Sequence, residues 1–282
     1  MTRLPAAPSG PAGAAPVQGA LPPLHASEMK LYLACPRKWH HAHASRRVPR
    51  AEPGALSRGR AVHRWLEGWW SGLAAELPED PVARACCVGY DAYWQAPPLG
   101  HWVVEERFPV DIAAVSCAGT VDALNDDGLT IVEHKTTSQD ITPGSMYWRQ
   151  VVTTDVQVSM YRAAFPGATI LYDVIRKPAL RPLRAGKPNE ESAEELVARC
   201  IAVMAEEPEK YFQRATVVRL ESEDEAFARD VVSVDRLRRG SEHPRSAANC
   251  FAYGGRCGYW ATCWEGAPLS DDSLYQDQQV GR

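Results

Sequence analysis

The chain has 282 residues, of which 45% are hydrophobic, and carries a formal net charge of −4 with a pI near 6.1. This length is enough to bury a core, so it fits one large domain or a domain with an appended module. The net charge gives no global sign of nucleic-acid binding, and no apolar run approaches the roughly 20 residues that span a membrane. Because nothing in the sequence indicates export, we expect a cytoplasmic protein.

The two ends of the chain differ in composition from its middle. Residues 1–24 are rich in Pro, Ala and Gly without a sustained apolar run, so residues 1–26 are predicted to be a disordered arm rather than a signal peptide. Residues 267–282 are predicted to be a polar tail. The intervening residues 27–266 are predicted to form one domain.

Helices and strands are predicted along this domain from hydrophobic periodicity and turn residues. Helical patterns cover 28–44, 56–76 and 80–96, and the period then changes to two over 101–112, 115–124 and 129–137. Asp127-Gly128 between the last two strands is a strong hairpin signal. Helix 143–165, strand 168–177, helix 190–207, strand 214–220 and helix 222–239 follow. The order predicts an α/β fold with a central mixed sheet flanked by helices.

A basic segment lies at the start of the domain. Between Lys30 and Arg64 there are nine Lys or Arg residues against the single acid Glu52. Such a segment produces a local positive field suited to a polyanion, although a solvated helix face explains the same charges. The candidates for contacting DNA are Arg37, Lys38, Arg58, Arg60 and Arg64.

The predicted hairpin over 115–137 concentrates charge. Side chains two residues apart on a strand share a face, so Glu133 and Lys135 point the same way and His134 points opposite. The turn brings Asp122 towards that face. Two carboxylates offer oxygen ligands to Mg²⁺ or Mn²⁺, and a neighbouring ammonium can stabilise charge on a phosphoryl oxygen. An ordinary solvated strand is the alternative from this spacing alone.

The order of motifs resembles the PD-(D/E)XK nuclease superfamily in its RecB-like branch, which has a restriction-endonuclease-like fold. "GRAVHRWLEGWW" matches the helix motif that carries a histidine, His63. Gly119, Val121 and Asp122 match the "G.vD" strand, and Glu133 with Lys135 the "E.K" strand. Gln157 and Tyr161 match a helix motif "Q…Y", for which Gln150 is a competitor, and Glu105 and Glu106 are taken as ordinary strand residues.

The resemblance implies a role for each matched residue. His63, Asp122 and Glu133 would be metal ligands, together with the backbone carbonyl of His134. Lys135 would be the catalytic ammonium. Gln157 and Tyr161 would position DNA or the active-site groups. Taken singly, a histidine on an apolar helix face is more often a core or surface residue than a ligand, and a Gln–Tyr pair often only decorates a helix.

Four of the eight cysteines are unlike the rest. Cys250, Cys257 and Cys263 are spaced C-x6-C-x5-C near the end, whereas Cys35 opens "CPRKW" near the start. Four thiolates bind Zn²⁺ or an iron–sulfur cluster, and the paired knuckles typical of zinc ribbons are absent. The other interpretations are buried unpaired cysteines and disulfides. Disulfides are the less expected of the two in a cytoplasm.

This layout resembles the CRISPR-associated iron–sulfur exonucleases and the nuclease of AddAB-type helicase–nucleases. The resemblance implies a [4Fe-4S] cluster, rather than zinc, that staples the N-terminal helix to the C-terminal segment. The spacing between Cys250 and Cys257 departs from the C-x2-C of the commoner relatives.

The combined expectation is a metal-dependent DNA nuclease, an exonuclease acting on single strands or DNA ends. The alternative is a cluster- or zinc-stapled accessory subunit that binds DNA without strong catalysis. DNA is the expected partner, and a protein partner would come from a recombination, repair, phage or CRISPR-type pathway. No membrane contact is expected.

Overall fold

The computed structural model describes residues 21–51, 54–252 and 255–278. The first twenty residues of the predicted arm and the last four of the predicted tail lie outside them. Contacts divide the chain into two units. One comprises residues 52–110 and 118–225, and the other comprises residues 1–51, 111–117 and 226–282. We call them the sheet unit and the terminal unit. Within the described residues, no helix is both long and apolar enough to cross a membrane.

The sheet unit begins with two helices, α3 (Gly54–Trp70) and α4 (Pro81–Trp94). Helix α3 ends at Trp70, six residues earlier than the sequence predicts, and is followed by Gly72, whose φ of 69° is the left-handed conformation that terminates helices. Asp80 caps α4 by accepting a hydrogen bond from the backbone N–H of Ala83 at 2.8 Å.

Five strands follow in the order β2-β3-β4-β5-β6 across one mixed sheet. Their bounds are β2 Trp102–Ile112, β3 Val115–Asn125, β4 Thr130–Thr137, β5 Thr169–Arg176 and β6 Phe212–Val217. Strand β4 is antiparallel to β3 and parallel to β5, and β5 is antiparallel to β6. The predicted α/β class and mixed central sheet are therefore confirmed.

The helix predicted over 143–165 is interrupted. A π-helical turn (Tyr147–Val152) precedes α5 (Val156–Ala164), and Asp155 caps α5 through the backbone N–H of Gln157. Buried Arg219 donates to the carbonyl oxygens of Val152 and Asp155 at 2.8 and 3.2 Å, so the backbone groups freed at the break remain hydrogen-bonded.

One face of the sheet packs against helices α3, α4 and α6 (Ala193–Glu206). Apolar side chains of all three helices meet Ala123, Val132 and Ile175 from successive strands. Since Val132 belongs to this core, strand alternation places Glu133 on the opposite face of β4.

The terminal unit contains α1 (Ala26–Ala34), α2 (Pro36–Trp39), β1 (Arg47–Pro49), α8 (Trp260–Trp264) and β7 (Tyr275–Asp277). Helix α7 (Glu221–Arg238) starts in the sheet unit and ends here. Leu24 is fully buried and donates its N–H to Ser116 O at 2.9 Å. The ordered chain thus begins before residue 27.

The described part of the predicted polar tail, residues 267–278, contains a short ordered strand. Strand β7 pairs antiparallel with β1, with Tyr275 opposite Pro49. Tyr275 is fully buried, stacks on Tyr259 at 5.7 Å between ring centroids, and its hydroxyl accepts from Thr262 at 2.8 Å. A single buried aromatic in a polar stretch is enough to anchor it.

Replacing Tyr275 with alanine should therefore destabilise the protein by about 3–5 kcal/mol, the usual cost of deleting a buried aromatic side chain. Denaturant unfolding of the full chain measures the change. Gln276→Ala, an exposed neighbour on the same strand, is the control and should change the free energy of unfolding by about 0.5 kcal/mol or less. Equal stability of both variants would contradict an ordered C-terminal strand.

Candidate functional site

The candidate site lies where β3 and β4 separate. Their register pairs Leu124 with Ile131 and Ala123 with Val132. Beyond that point the backbone N–H of His134 donates to the Asp122 carboxylate at 2.6 Å, where a continued strand would offer a carbonyl. The Asp122 side chain thus occupies the gap between the strands and lies beside the next residues of β4.

Glu133 is the centre of the site. Its side chain is 1% exposed, and both carboxylate oxygens are engaged. Lys135 donates to Oε1, and the Tyr161 hydroxyl donates to Oε2 at 2.5 Å. A buried carboxylate is costly without such partners, so the ammonium and the phenol stabilise the ionised form.

Helix α5 contributes two residues to this site. Gln157 accepts from Lys135 Nζ at 2.9 Å through Oε1 and donates from Nε2 to the Tyr161 hydroxyl at 3.2 Å. One helical turn separates the two residues, so they share a face of α5. Gln150, the competitor for this position, is exposed on the π-helical turn.

His63 approaches from α3. Its Nδ1 lies 3.9 Å from Asp122 Oδ1. A Cβ at Gly59, one turn earlier, would lie 3.1 Å from Thr136 Oγ1, so the glycine permits the close approach of α3 to β4. Burial, reinforced by His134 and the Lys135 ammonium, lowers the pKa of His63 to about 3. Its imidazole is therefore neutral at physiological pH, the form that binds metals.

The charges in the site perturb one another. Burial, followed by repulsion from Glu133, raises the pKa of Asp122 to about 7. Burial alone would lower the pKa of Lys135, but the carboxylates of Glu133 and Asp155 outweigh it and hold that pKa above its ordinary value. Two carboxylates and one ammonium at close range thus leave a surplus of negative charge, which favours a bound cation.

Several nearby acids were not predicted from the sequence. Asp155 is buried, accepts from the Tyr172 hydroxyl at 2.5 Å and lies 3.9 Å from Lys135 Nζ. The sequence signal that could have identified Asp155 is its position as an N-cap before an apolar run. Glu105, taken as an ordinary strand residue, has a left-handed φ of 53°, and burial together with Glu67 and Glu133 raises its pKa.

A second unpredicted polar group surrounds Asp173 of β5, on the side of the sheet that the His134 imidazole faces. Asp173 is almost fully buried and is surrounded by donors from His134, Tyr90 and Arg214. Neither Tyr90 nor Arg214 belongs to a recognisable motif, and the sequence offers no signal that a helix and two strands bring them together.

The predicted DNA-contacting residues have different surroundings. Arg60 and Arg64 are exposed on α3, one turn apart. Arg58 instead makes a bidentate ion pair with Asp80, both bonds at 2.8 Å, and so holds the start of α4. In the terminal unit, Arg37 donates to His243 O at 2.6 Å, and Lys38 lines the pocket described next.

The four singled-out cysteines line one pocket of the terminal unit. It is formed by Cys35, Lys38, Arg245, Ser246, Asn249, Cys250, Cys257, Tyr259, Trp260, Cys263 and Trp264. The backbone N–H of Cys257 donates to Cys250 O at 2.7 Å, which closes the widened spacing between them. All eight cysteines are free thiols. Four thiols are the donor type of a four-thiolate centre, but the iron–sulfur cluster is not supported, because the described thiols are not arranged to hold a metal ion.

Metal ligation is not preformed in either place. Among residues 21–51, 54–252 and 255–278, no group of three or more His, Cys, Asp or Glu side chains is arranged to hold a metal ion. At the charged site the reason is visible, because Lys135 and Tyr161 take both oxygens of Glu133. A metal ion that bound Glu133 would have to exchange with the ammonium.

Part of the chain matches a known protein family. A family model described as the PD-(D/E)XK nuclease superfamily matches residues 23–108. The match contains His63 and ends before Asp122. It confirms the predicted resemblance to this superfamily, while the RecB-like branch stays a prediction.

One solved structure with a TM-score above 0.5 supports the fold, and a second is similar at a lower score. The crystal structure of a candidate exonuclease from Eubacterium rectale superposes with a TM-score of 0.51 at 11% identity, over 81% of this chain and 85% of that one. A phage-related exonuclease from Haemophilus somnus 129PT has a TM-score of 0.38 at 14% identity, over 78% and 94%. No curated protein matches the sequence significantly. The five-stranded sheet is thus consistent with the restriction-endonuclease-like fold.

The raised pKa of Asp122 predicts a pH-dependent effect of Asp122→Asn on metal-free protein. The folded-state pKa of about 7 exceeds the ordinary value of 3.8, so ionisation costs stability progressively as pH rises through this interval. An amide avoids that cost and still accepts from His134 N–H. Asp122→Asn should therefore stabilise the protein by about 2–4 kcal/mol at pH 8 and by clearly less at pH 5.

Denaturant unfolding in chelator at both pH values measures this difference. Asp126→Asn, an exposed change in the adjacent turn, is the matched control and should have the same small effect at pH 5 and pH 8. A pH-independent effect of Asp122→Asn would show that Asp122 ionises normally.

Proposed function

We propose that the protein is a metal-dependent DNA nuclease of the RecB-like branch that hydrolyses phosphodiester bonds in single strands or at DNA ends. The observation that supports this most is the convergence of Asp122, Glu133 and Lys135 at the separation of β3 and β4. His63 supports the same proposal, because it lies within the residues 23–108 that match the nuclease superfamily and its Nδ1 is 3.9 Å from Asp122 Oδ1.

The metal would be Mg²⁺ or Mn²⁺, held by His63, Asp122, Glu133 and the backbone carbonyl of His134. The chemistry that such an ion supplies is activation of a water molecule and stabilisation of charge on the phosphate. The chain's own contribution is a set of buried oxygen donors with surplus negative charge. Asp122 and Glu133 can bind the ion without reorganising the sheet, because both lie on rigid strands.

When a metal ion binds, Lys135 would lose its ion pair with Glu133. Displaced from Glu133, its ammonium remains within reach of Gln157 and Asp155 and stays beside the metal ligands. There it can orient the attacking water or stabilise a negatively charged phosphoryl oxygen. Tyr161 and Gln157 fix the carboxylate and the ammonium relative to each other.

Exposed cations on α3 would guide the substrate. Arg60 and Arg64 follow the same helix that carries His63, so a strand bound along it would reach the metal site. Arg58 belongs to the same proposed interface, although it contributes less because Asp80 neutralises it. Arg37 and Lys38 are proposed as separate DNA contacts of the terminal unit. Contacts to phosphates without base readout make the affinity fall as salt rises.

The cysteine pocket would hold a [4Fe-4S] cluster, with zinc as the alternative occupant. The support is that Cys35 reaches the same pocket as three cysteines more than two hundred residues later. Asn249 donates to Ala34 O at 2.7 Å, which holds the C-terminal segment to the end of α1. A metal centre there would extend this connection, so its role is structural rather than redox.

A recombination, repair, phage or CRISPR-type pathway would use this activity, alone or with a protein partner. A DNA-binding accessory subunit without strong catalysis is the alternative outcome. The chemistry-bearing residues are all present, which favours the enzyme.

Nuclease activity is tested with end-labelled single-stranded and duplex DNA in Mg²⁺, Mn²⁺ or chelator. Wild type should degrade DNA only with metal. Asp122→Ala and Lys135→Ala should each lower the cleavage rate at least about 100-fold, since each removes a charged group that acts on the reacting phosphate. Asp126→Ala, in the neighbouring exposed turn, should retain full activity.

Metal binding separates the two active-site roles. Asp122→Ala should weaken Mn²⁺ binding, whereas Lys135→Ala should bind Mn²⁺ at least as tightly as wild type, because the competing ammonium is gone from Glu133. Activity that survives both substitutions would refute the active-site assignment. DNA binding without cleavage in wild type would indicate the accessory role.

The cysteine centre is tested on anaerobically purified protein by iron, sulfide and zinc analysis and visible absorption. A cluster predicts a brown protein with about four iron and four sulfide per chain, and Cys257→Ala should lose the colour. Cys86→Ala, which alters a buried thiol in the core of the sheet unit, should keep it. Stoichiometric zinc in a colourless sample would replace the cluster with the alternative occupant.

A further inference from the structure

An exposed row of aromatic rings lies in the C-terminal part of the terminal unit. Phe251 is 57% exposed and Trp264 is 46% exposed, and Trp260 between them is half-buried. Ring centroids are 5.0 Å apart between Phe251 and Trp260 and 5.6 Å apart between Trp260 and Trp264, which are stacked. We call these three residues the aromatic row. Large apolar rings at a surface cost free energy in water, so a group of them marks a binding surface.

Two arginine side chains lie over the rings of this row. The guanidinium carbon of Arg245 is 4.2 Å from the ring centroid of Trp264, and that of Arg256 is 5.1 Å from the ring centroid of Trp260. Both arginines are exposed. A guanidinium plane stacks on bases as an aromatic ring does and also contacts phosphate, so the cluster combines stacking surfaces with positive charge.

Hydrogen bonds hold these side chains in place. Trp260 Nε1 donates to Glu265 Oε1 at 2.8 Å, and Arg256 donates to the same oxygen at 3.4 Å. Arg245 donates to the carbonyl oxygen of Cys263 at 2.5 Å. Side chains that are fixed before binding lose little conformational entropy when a ligand stacks on them.

The local sequence is positive although the whole chain is acidic. Residues 245–264 contain two arginines and no aspartate, glutamate or lysine, whereas the chain has a net charge of −4. Five of these 20 residues are aromatic, against 9% of the chain. Aromatic rings interleaved with positive charge match the bases and phosphates of a single-stranded nucleic acid.

Shielding of the cysteine pocket is the other explanation for this cluster, because Trp260 and Trp264 line that pocket. Shielding does not account for Phe251, which is the most exposed of the three rings. It also does not account for two guanidinium groups over the rings, because an apolar cover would exclude charge.

We propose that the aromatic row, with Arg245 and Arg256, is a base-stacking platform for single-stranded DNA. The inference rests on the proposed function, which supplies the identity of the ligand, and deepens it by assigning a binding surface in the terminal unit. Unpaired bases stack on the rings and on the Arg245 guanidinium, while both arginines contact the flanking phosphates. Every base has a stacking face, so the platform accepts any sequence and prefers unpaired bases to a duplex, whose bases already stack on one another.

Binding of labelled oligothymidylate to the full chain in chelator tests this platform without cleavage. Fluorescence anisotropy compares it with an abasic oligodeoxynucleotide of the same length, which has the same phosphates and no bases. Wild type should bind oligothymidylate at least about 10-fold more tightly, because each stacked base adds about 5- to 100-fold in affinity. Equal affinity of wild type for the two strands would overturn the platform, and this comparison depends on no variant.

Alanine substitutions locate the stacking surface. Phe251→Ala and Trp264→Ala should each weaken oligothymidylate binding by about 5- to 100-fold and leave abasic binding unchanged, whereas Trp264→Phe should restore most of the affinity. Arg245→Ala should weaken binding of both strands, because it removes a phosphate contact. Leu237→Ala, which removes another exposed apolar side chain of the terminal unit, is the control and should change neither. A full preference for oligothymidylate in both Phe251→Ala and Trp264→Ala would contradict the assignment.

The outcomes separate the platform from the nuclease. Base-dependent binding that Phe251→Ala weakens, in a protein that does not cleave DNA with Mg²⁺ or Mn²⁺, supports the platform and favours the accessory role. Metal-dependent cleavage without base-dependent binding overturns the platform and leaves the nuclease proposal standing. A dimer of the full chain that dissociates in Phe251→Ala, measured by sedimentation and without base-dependent binding, assigns the aromatic row to a contact between copies and overturns the platform as well.

Discussion

The ionised carboxylate of Glu133 is the constraint on which the surrounding structure depends. Placed at the centre of a sheet and almost fully buried, it requires compensation that a strand alone does not supply. Lys135 supplies the charge, and Tyr161 supplies a hydrogen bond from α5. Helix α5 brings the Tyr161 phenol and the Gln157 amide to this point, and the break before it is capped by Asp155, which lies 3.9 Å from Lys135 Nζ. The helix interruption thus adjoins the site.

Strand alternation gives β4 two different functions. On one face, Glu133 and Lys135 form the charged centre, and on the other, His134 enters the core between Trp70 and Asp173. Charged groups in a core cost free energy unless every partner is present. The Asp173–Arg214 pair satisfies this condition through Tyr90 and His134, which explains why four polar side chains persist beside an apolar cluster. The same network holds His134 rigid, so the two faces of the strand are coupled through one residue.

Much of this arrangement could be predicted from the sequence, because it depends on local pattern. The alternation over 129–137 and the Asp-Gly turn identify the hairpin and the shared face of Glu133 and Lys135. The one-turn spacing of Gln157 and Tyr161 predicts that both reach the site if either does. The strand pair and the residues brought together at its separation follow from these short-range rules. The roles of these residues remain proposals.

The remainder depends on contacts that no local pattern records. Tyr275 was missed because one aromatic residue in a polar stretch has no periodicity. Asp173, Arg214 and Tyr90 come from β5, β6 and α4, and only the strand order makes them neighbours. Likewise, no local pattern predicts the left-handed φ of Glu105 within β2 or the influence of Glu67 and Glu133 on its pKa.

Lys135 connects the stability of this site to its chemistry. Its ammonium balances Glu133 in the structure described here, so a metal ion that binds Glu133 replaces one cation by another and leaves no uncompensated charge at that oxygen. The released ammonium stays near Asp155 and Gln157, where its charge remains balanced. Binding therefore costs less reorganisation than creating a cation site from a neutral pocket. In the proposed mechanism, the same exchange would leave a positive group beside the metal, where it could interact with an approaching phosphate. A single ion pair would then stabilise the fold without metal and contribute to the reaction centre with metal.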